Sequence, residues 1–297
     1  MKVFLTGGTG FVGSEVLRQL VAAGHEVRAL VRRGSEGKLA VRDGVDVRYG
    51  DATDPQSLAG VLDGCEAVVH LVGIIREFPA KGITFERLHG EATGNVLAAA
   101  SQQGVTRYLH MSANGTGPSG ATGYHRSKWA AEQAVRASDR DWTIFRPSLI
   151  FGKGGEFVTM LADLIRKLPV VPVIGDGQYR MQPVAVGQVA ESFVKALTLP
   201  QTIGQTYHLG GAQSYSYDEI LDLTGKAIGR EQVTKLHQPL LMIKPMIKLM
   251  EHADHFPITS DQLEMLLAGN VCDTVSWAST FGITPLSYAE GIGGCFA

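Results

Sequence analysis

Near the start of the chain, Thr6-Gly7-Gly8-Thr9-Gly10-Phe11-Val12-Gly13 follows directly on an apolar run at residues 3–5. Gly7, Gly10 and Gly13 are spaced G-x-x-G-x-x-G, and an amphipathic helical pattern begins straight after them. Glycine here permits a tight turn, a close approach of backbone to a pyrophosphate, and close packing of helix on strand. The free N–H groups of the helix N-terminus would then face the phosphates. The stretch predicts a dinucleotide-binding turn, with a purely structural turn as the alternative.

Working outward, apolar strand-like runs alternate with helical patterns. Strands are expected at residues 3–5, 27–31, 45–49, 67–71, 108–111 and 142–145, with helices at 16–23, 57–62, 85–101 and 128–137. Strands that alternate with helices form right-handed parallel crossovers, so this order predicts an α/β fold, a Rossmann-type doubly wound parallel sheet.

The rhythm loosens after residue 150. Short strands are expected at 170–174 and 205–209, and helices at 189–199, 217–228 and 260–267. We therefore expect a dinucleotide-binding core over residues 1–150 and a smaller, mixed α/β C-terminal substrate lobe over 151–297, with a helix at 187–199 that packs back on the core.

Composition and charge argue against several classes of protein. The formal net charge is −2 and no basic stripe stands out, so nucleic acid is not an expected partner. Cys65, Cys272 and Cys295 lie far apart with no C-x-x-C spacing, which argues against a disulfide framework and a metal site. No apolar run approaches the roughly 18 residues of a membrane span, and no signal-peptide pattern is present. A cytoplasmic protein is expected, of undetermined oligomeric state.

The end of the second strand bears on the choice of dinucleotide. A site that prefers NAD places an acidic residue about 20 positions after the glycines, where it binds the ribose 2′-hydroxyl. Here Arg32 stands 19 residues after Gly13, with Arg33 beside it and no acid before Glu36. A guanidinium suits a 2′-phosphate. The sequence favours NADP, with NAD as the alternative and a solvated loop arginine as the structural explanation.

Tyr124 and Lys128 begin another helical pattern, and a spacing of four places them on one helix face. A tyrosine with a pKa near 10 is a poor acid–base group at neutral pH unless a positive charge stabilises its phenolate. We expect Lys128 to supply that charge, lower the pKa of Tyr124 and also contact the cofactor ribose.

Together these residues resemble the short-chain dehydrogenase/reductase family, in particular its extended and atypical branches. The resemblance adds Gly50-Asp51-Ala52, His70-Leu71-Val72-Gly73 and Arg146-Pro147-Ser148-Leu149-Ile150, which follow the third, fourth and sixth predicted strands. The stretches 261–273 and 281–285 are similar to the branch that contains the nucleotide-binding accessory subunit of respiratory complex I.

The resemblance implies the cofactor contacts and the catalytic set. The implied cofactor-binding residues are Thr6, Gly7, Gly10, Phe11, Val12, Gly13, Arg32, Asp51, Ala52, Leu71, Val72, Gly73, Tyr124, Lys128, Pro147 and Ile150. In relatives the position of Asp51 contacts adenine, and the loop from Pro147 to Ile150 passes near the nicotinamide. The implied catalytic residues are Tyr124, Lys128 and Ser112, with Ser112 orienting the substrate oxygen.

Three positions depart from the enzyme pattern. Ser112 is only 12 residues before Tyr124, closer than in extended members, and Ala113 is the other residue that fits its slot. A strand-end structural role is the alternative for Ser112. His89 stands where the family has an asparagine; it is a candidate proton relay, and a structural helix histidine is the alternative. The segment 184–190 lacks the acids found in relatives.

Two functions are consistent with these residues. The first is an NAD(P)-dependent reductase, dehydrogenase or epimerase that acts on a carbonyl or hydroxyl of a small molecule. The second is a non-catalytic dinucleotide-binding accessory or sensor protein of a respiratory-type assembly. The Tyr124–Lys128 pair favours the first function and the departures favour the second; we expect the enzyme.

The segment 239–250 is rich in leucine, methionine and isoleucine, with Lys244 and Lys248 four residues apart. Pro245 predicts a break, with a helix resuming after it. The segment either completes the core of the C-terminal lobe or forms an apolar lid or docking face. In the second case its methionines would cover a hydrophobic substrate such as a quinone or isoprenoid, and its lysines would meet an anionic lipid surface or a partner such as a respiratory complex.

Overall fold

The computed structural model describes residues 1–251 and 258–296. Its strands are β1 Lys2–Thr6, β2 Glu26–Val31, β3 Val45–Tyr49, β4 Ala67–His70, β5 Arg107–Met111, β6 Asp141–Pro147, β7 Ile150–Phe151, β8 Val171–Ile174, β9 Arg180–Met181, β10 Val184–Ala185, β11 Gln205–Leu209, β12 Tyr215–Ser216 and β13 Lys235–Gln238. Its α-helices are α1 Phe11–Ala22, α2 Ala92–Gln102, α3 Gly123–Ala137, α4 Glu156–Lys167, α5 Val186–Ala196, α6 Tyr217–Ala227, α7 Leu240–Met250, α8 Ser260–Leu267, α9 Val275–Phe281 and α10 Tyr288–Gly291.

The main sheet has the strand order β11-β6-β5-β4-β1-β2-β3. Every pair from β6 to β3 is parallel. Its inner strands are nearly continuous runs of buried apolar residues, as a parallel sheet covered by helices on both faces requires. The order reverses between β1 and β4, and the carboxyl ends of these two strands flank the crevice where such sheets bind ligands. The predicted Rossmann-type doubly wound sheet is confirmed.

The contacts within the chain divide it into two units. The first comprises Met1–Pro147, Val186–His208 and Val275–Ile283, and the second contains the remaining described residues. This differs from the division expected at residue 150, because the chain returns twice to the first unit. It returns once with α5, which packs on α1, and once with α9, whose buried Trp277 donates from Nε1 to Ser192 Oγ at 2.7 Å.

Two of the expected helices differ in the structure. The helix predicted at 57–62 is wrong, since the chain forms only a single 3₁₀ turn over Pro55–Leu58. Gly60, at φ +66°, takes the left-handed conformation that ends a helix. The helix predicted at 85–101 is divided into a π-helical turn over Glu86–Glu91 and α2 after it. A π-turn widens the backbone locally and is frequent at functional sites.

The second unit has its own apolar core. In it β8 pairs in parallel with β13, β7 with β10, and β9 antiparallel with β12. Helices α4 and α6 pack together, and Phe151, Leu161, Ile220 and Tyr288 are buried among the residues between these elements.

Helix α7 runs through Pro245 as one element, so the break expected there is wrong. Proline removes the N–H that would bond to the carbonyl of Leu241. Pro245 and Leu241 are both exposed, so water can hydrate that carbonyl. None of the helices in the described ranges is both long and apolar enough to pass through a bilayer.

Candidate cofactor and active site

The glycine turn joins β1 to α1. Gly7 has φ +77°, and a Cβ on it would lie 2.9 Å from the carbonyl carbon of Leu71. A Cβ on Gly13 would lie 2.0 Å from the Gly7 oxygen, so these two glycines are required by the packing of the protein itself. Gly10 differs, because its Cβ would meet only the Gly7 oxygen, at 3.4 Å.

Gly10 is the N-cap of α1 and provides no side-chain cap, so the first-turn N–H groups, which include those of Phe11 and Val12, have no capping side chain. The turn therefore presents free backbone donors beside an open glycine, which fits a pyrophosphate. Thr6 contributes backbone only, since its Oγ1 is buried and bonds to Nδ1 of His70 at 2.7 Å.

A surface cavity lies at the carboxyl ends of β2 and β3. Its lining residues are Arg32, Arg33, Tyr49, Gly50, Asp51 and Ser57. Arg32 and Arg33 are exposed, and the Arg33 guanidinium stands 5.2 Å from the centre of the Tyr49 ring. Asp51 Oδ1 accepts from the backbone N and Oγ1 of Thr53, so one of its carboxylate oxygens holds the loop. The cavity is thus lined by two cations, Arg32 and Arg33, of which only Arg32 was predicted to bind the cofactor.

Ala52 does not line this cavity. Its side chain belongs to the apolar core under α2, and its carbonyl accepts from Nδ2 of Asn95 at 3.1 Å.

The residues after β4 contact the glycine turn on one side and the side chain of Lys128, on helix α3, on the other. Leu71 is buried beside Gly7, and Val72 packs partly buried against the core. Gly73 is exposed, and a Cβ on it would lie 2.9 Å from Lys128 Nζ and 3.4 Å from His89 Nε2. Glycine at this position lets the lysine and the histidine approach the backbone.

Helix α3 begins after Thr122, which caps it by accepting from the backbone N of His125. Tyr124 is 8% exposed and Lys128 is 3% exposed, so both are buried on the inner face of the helix. Lys128 Nζ donates to the carbonyl of Met111, at the end of β5, at 3.0 Å.

Burial governs the ionisation of this pair. It raises the pKa of Tyr124 to about 12 and lowers the pKa of Lys128 to about 8, the latter opposed by the Glu132 carboxylate. The expected lowering of the Tyr124 pKa by Lys128 together with an oxidised nicotinamide stays a prediction, and burial acts on this pKa in the opposite direction. Each group is removed from water, and the ammonium bonds to a backbone carbonyl. Tyr124 is a protonated phenol at neutral pH.

Two aromatic rings from the π-helical region cover Tyr124. The ring centres of Phe85 and His89 lie 5.8 and 5.5 Å from that of Tyr124, both at steep angles. His89 Nε2 accepts from the backbone N of Ile74 at 3.1 Å, so its proton is on Nδ1, which donates to Ser127 Oγ at 2.8 Å. Burial lowers the pKa of His89 to about 2. This neutral histidine holds the β4 loop against α3.

Ser112 is buried beside an ionic cluster. Its hydroxyl donates to Oγ1 of Thr116 at 3.4 Å, and the neighbouring carboxylate of Glu132 is 0% exposed. Arg146 makes two bonds to that carboxylate, at 2.8 and 2.6 Å, and Arg136 adds one at 3.0 Å. Burial raises the pKa of Glu132, but the bonds from Arg146, Ser112 and Arg136 outweigh it, and the pKa is lowered. Ala113, the other residue considered for this slot, is buried.

The remaining predicted residues lie at the end of β6 and beyond it. Pro147 ends β6, and its carbonyl accepts from the backbone N of Asn114 at 2.9 Å. Ile150 lies in the second unit, where β7 pairs with β10. Within the first unit, a line of close approaches runs from Gly7 past Leu71 and Gly73 to Lys128.

Sequence reasoning missed Phe85, Ser127 and Glu132. The one available signal was helical spacing, because Glu132 lies four residues after Lys128 on the same face of α3. In the sequence, Glu132 cannot be told from an ordinary acid on the surface of a helix. Its partner Arg146 belongs to a later strand, β6, so their contact is not visible in the local sequence.

A doubly wound parallel sheet with a glycine turn after β1 and a buried Tyr–Lys pair on a later helix defines a nicotinamide-dinucleotide-binding protein of the Rossmann class. The sequence profile of the NAD dependent epimerase/dehydratase family matches residues 3–210. The chain belongs to that family.

The proteins to which the chain is similar include a subunit of NADH dehydrogenase and a reductase. The chain is 30% identical over 269 residues to the NADH dehydrogenase [ubiquinone] 1 alpha subcomplex subunit 9 of Arabidopsis thaliana, covering 86% of this chain and 66% of that one. It is 33% identical over 172 residues to a ceramide reductase of Caulobacter vibrioides, covering 58% and 53%. The chain thus spans less than two thirds of the length of these relatives.

Solved structures share the fold. A nucleoside-diphosphate-sugar epimerase from Staphylococcus aureus is 20% identical, with a TM-score of 0.79 over 99% of this chain and 100% of that one. A UDP-glucose 4-epimerase from Thermotoga maritima, solved with UDP-glucose, is 18% identical, with a TM-score of 0.77 over 99% and 97%. At these identities the likeness shows the fold alone.

Proposed function

We propose that the protein is an NADP(H)-dependent reductase that acts on the carbonyl of a small, hydrophobic substrate, or on the hydroxyl in reverse. The observation that carries the proposal is the burial of Tyr124 and Lys128 together. An ammonium taken out of water costs several kcal/mol or neutralises itself. A lysine that is 3% exposed, beside a glycine that leaves room for it, is an arrangement that a structural helix does not need.

The residues divide the work along the carboxyl edge of the sheet. The glycine turn holds the pyrophosphate, and Arg32 and Arg33 bind the 2′-phosphate. Lys128 holds the ribose and carries the positive charge that stabilises a phenolate. The bound nicotinamide supplies or accepts the hydride. Because Tyr124 is protonated at neutral pH, it is poised to give its proton to a carbonyl oxygen, which favours the reductive direction.

Ser112 is assigned a supporting role. Its buried hydroxyl donates to Oγ1 of Thr116, so we propose that it acts by fixing the end of β5 near the substrate oxygen. An apolar substrate, with quinones and isoprenoids as the first classes to examine, is supported by the aromatic cover on Tyr124 and by a relative named as a ceramide reductase.

The test is turnover with NADPH and a panel of aldehydes, ketones and quinones of increasing apolar size, followed by the loss of reduced nicotinamide absorbance. Tyr124→Phe should abolish turnover and leave NADPH affinity unchanged. Tyr108→Phe is the matched control, because Tyr108 is also buried and its hydroxyl has no partner among the described residues. Full turnover by Tyr124→Phe would refute the assigned proton donor.

A second function is favoured by one observation: Ser112 is 3% exposed and its hydroxyl donates to Oγ1 of Thr116, which competes with any role in orienting substrate. In this alternative the protein keeps its dinucleotide as an accessory or sensor protein and turns nothing over, in contact with a respiratory assembly. The relatives named as subunits of NADH dehydrogenase support it. Tight NADPH binding with no turnover across the whole panel would favour this function over the reductase.

A further inference from the structure

Helix α7 is attached to the second unit by a narrow stripe. Only Ile243 and Ile247 among its residues are buried, against a small cluster around Leu263. These two side chains are four residues apart and lie on one face of the helix. The helix has 11 residues and, at 1.5 Å per residue, is about 16 Å long. It lies along the surface of the unit, because only one stripe of it is buried.

The opposite face of α7 is apolar and open to solvent. Leu241 is 88% exposed, Leu249 82% and Met242 72%, and the flanking Met246 and Met250 are 44% and 43% exposed. Isolated exposed apolar residues are ordinary, but a contiguous set on one helix marks an interaction surface.

The charged side chains on α7 itself have one sign. Lys244 and Lys248 are both exposed and four residues apart, on the edge between the buried and outward faces. The helix carries no Asp or Glu, and neither lysine makes an ion pair within the described residues. Glu251, just after the helix, is half-buried and accepts from the backbone N of Ser260.

We infer that α7 is an interfacial helix that docks the protein on an anionic phospholipid surface. Its apolar face enters the boundary between headgroups and acyl chains while Lys244 and Lys248 meet the lipid phosphates, the arrangement of helices that lie in a membrane interface. The chemistry of the face favours lipid over a protein partner. Protein interfaces are enriched in aromatic residues, methionine and arginine and depleted in lysine. This helix has methionines but no aromatic residue and no arginine, and its only charged residues are two lysines. The inference does not depend on turnover.

The experiment is flotation of the purified full-length chain with vesicles of phosphatidylcholine alone and of equimolar phosphatidylcholine and phosphatidylglycerol. We expect the chain to float with the second kind and to stay down with the first. Replacing both Leu241 and Leu249 by Ser should lower partitioning by about tenfold or more per leucine, because each gives up the burial of a large side chain. Both are so exposed that the melting temperature should not change.

The charge is tested separately. Lys244→Gln with Lys248→Gln should lower binding about fivefold per lysine on the anionic vesicles. Lys167→Gln with Lys226→Gln removes the same charge from exposed positions on α4 and α6 and should leave binding unchanged.

Three outcomes would overturn the inference. One is a wild-type chain that does not float with either vesicle. A second is flotation that both α7 variants retain. The third is a wild-type chain that sediments as a dimer and becomes monomeric in the leucine variant, which would make the face an interface between copies.

Discussion

Replacing Gly10 by Ala separates the binding of the dinucleotide from the folding of the turn that holds it. Gly10 has φ −85° and ψ 175°, a conformation open to any residue. Among protein atoms the added methyl would meet only the Gly7 oxygen, at 3.4 Å. In the proposed complex its other neighbour would be the pyrophosphate. The same substitution at Gly13 places the methyl 2.0 Å from the Gly7 oxygen, inside the protein itself.

The magnitudes follow from these distances. For Gly10→Ala the loss of unfolded-state entropy stabilises the fold and the poorer N-cap destabilises it, so the free energy of unfolding should change by less than about 1 kcal/mol. Crowding a tightly fitted phosphate should cost about 1–3 kcal/mol of binding, or roughly 5- to 150-fold in affinity. Gly13→Ala should lose about 3 kcal/mol of stability, because helix and strand must separate to admit the methyl.

Calorimetric titration with NADPH and urea denaturation of the three proteins make the comparison. The expected pattern is a weak-binding, stable Gly10→Ala protein beside a Gly13→Ala protein that is both weak-binding and unstable. Wild-type affinity in a folded Gly10→Ala protein would place the phosphates elsewhere. A Gly10→Ala protein as unstable as Gly13→Ala would refute the claim that only Gly13 is required by internal packing.

Three further results are expected. Arg32→Ala should lower the affinity for NADP(H) about tenfold and leave the affinity for NAD(H) unchanged, and the loss should shrink as the salt concentration rises. Calorimetry tests this with Lys167→Ala as the control. An unaltered preference for NADP(H) would show that Arg32 does not bind the 2′-phosphate. Turnover should fall as the pH rises through about 8, where Lys128 loses its proton, and Lys128→Arg should move that fall upward; a profile flat to pH 10 would contradict it. Glu132→Ala should destabilise by about 3–5 kcal/mol in urea at neutral pH, since it leaves Arg146 unpaired. The folded pKa of Glu132 is lowered, so this contribution is present above the unfolded value near 4.5 and is lost as the pH falls through the folded value; equal stability of both proteins at neutral pH would refute it.

The inner strands of the sheet could be predicted from the sequence because they are buried on both faces. Such strands consist of short continuous apolar runs, and Ala67–His70, which was expected at 67–71, is buried throughout. The helix ends were less well predicted, because the polar first turn of α3, from Gly123, carries no apolar period. Gly60 was a visible signal against the helix expected at 57–62, but one glycine in a short amphipathic run does not decide its conformation.

The π-helical turn could not be predicted. Its residues have the periodicity of an ordinary helix, and the turn packs against α3. This packing brings Phe85 and His89 onto Tyr124, so the shape of the candidate site depends on a feature that local sequence does not encode.

The ionic cluster around Glu132 lies beyond sequence reasoning for a similar reason. Glu132 and Arg136 have the spacing of a surface ion pair, which sequence reasoning assigns to a solvated helix face. Arg146 reaches the same carboxylate from β6, and that approach exists only in the folded chain. The pKa of Tyr124 behaves likewise, since the spacing to Lys128 predicted a lowered value and burial raises it.

The buried stripe of α3 links the fold to the chemistry. Tyr124, Lys128 and Glu132 recur every four residues on a face where a helix on a parallel sheet normally places apolar side chains. Two of these polar groups have partners at the carboxyl ends of the neighbouring strands. Lys128 donates to the Met111 carbonyl, and Glu132 accepts from Arg146. Buried polar groups make a protein more rigid when each has a hydrogen-bond partner. The contacts of Lys128 and Glu132 therefore hold α3 in one register. That register fixes the position of the phenol, and burial keeps the phenol protonated at neutral pH. Tyr124, Lys128 and Glu132 make the helix costly to bury. The same three residues place the phenol proton at the edge of the sheet where the dinucleotide is proposed to bind.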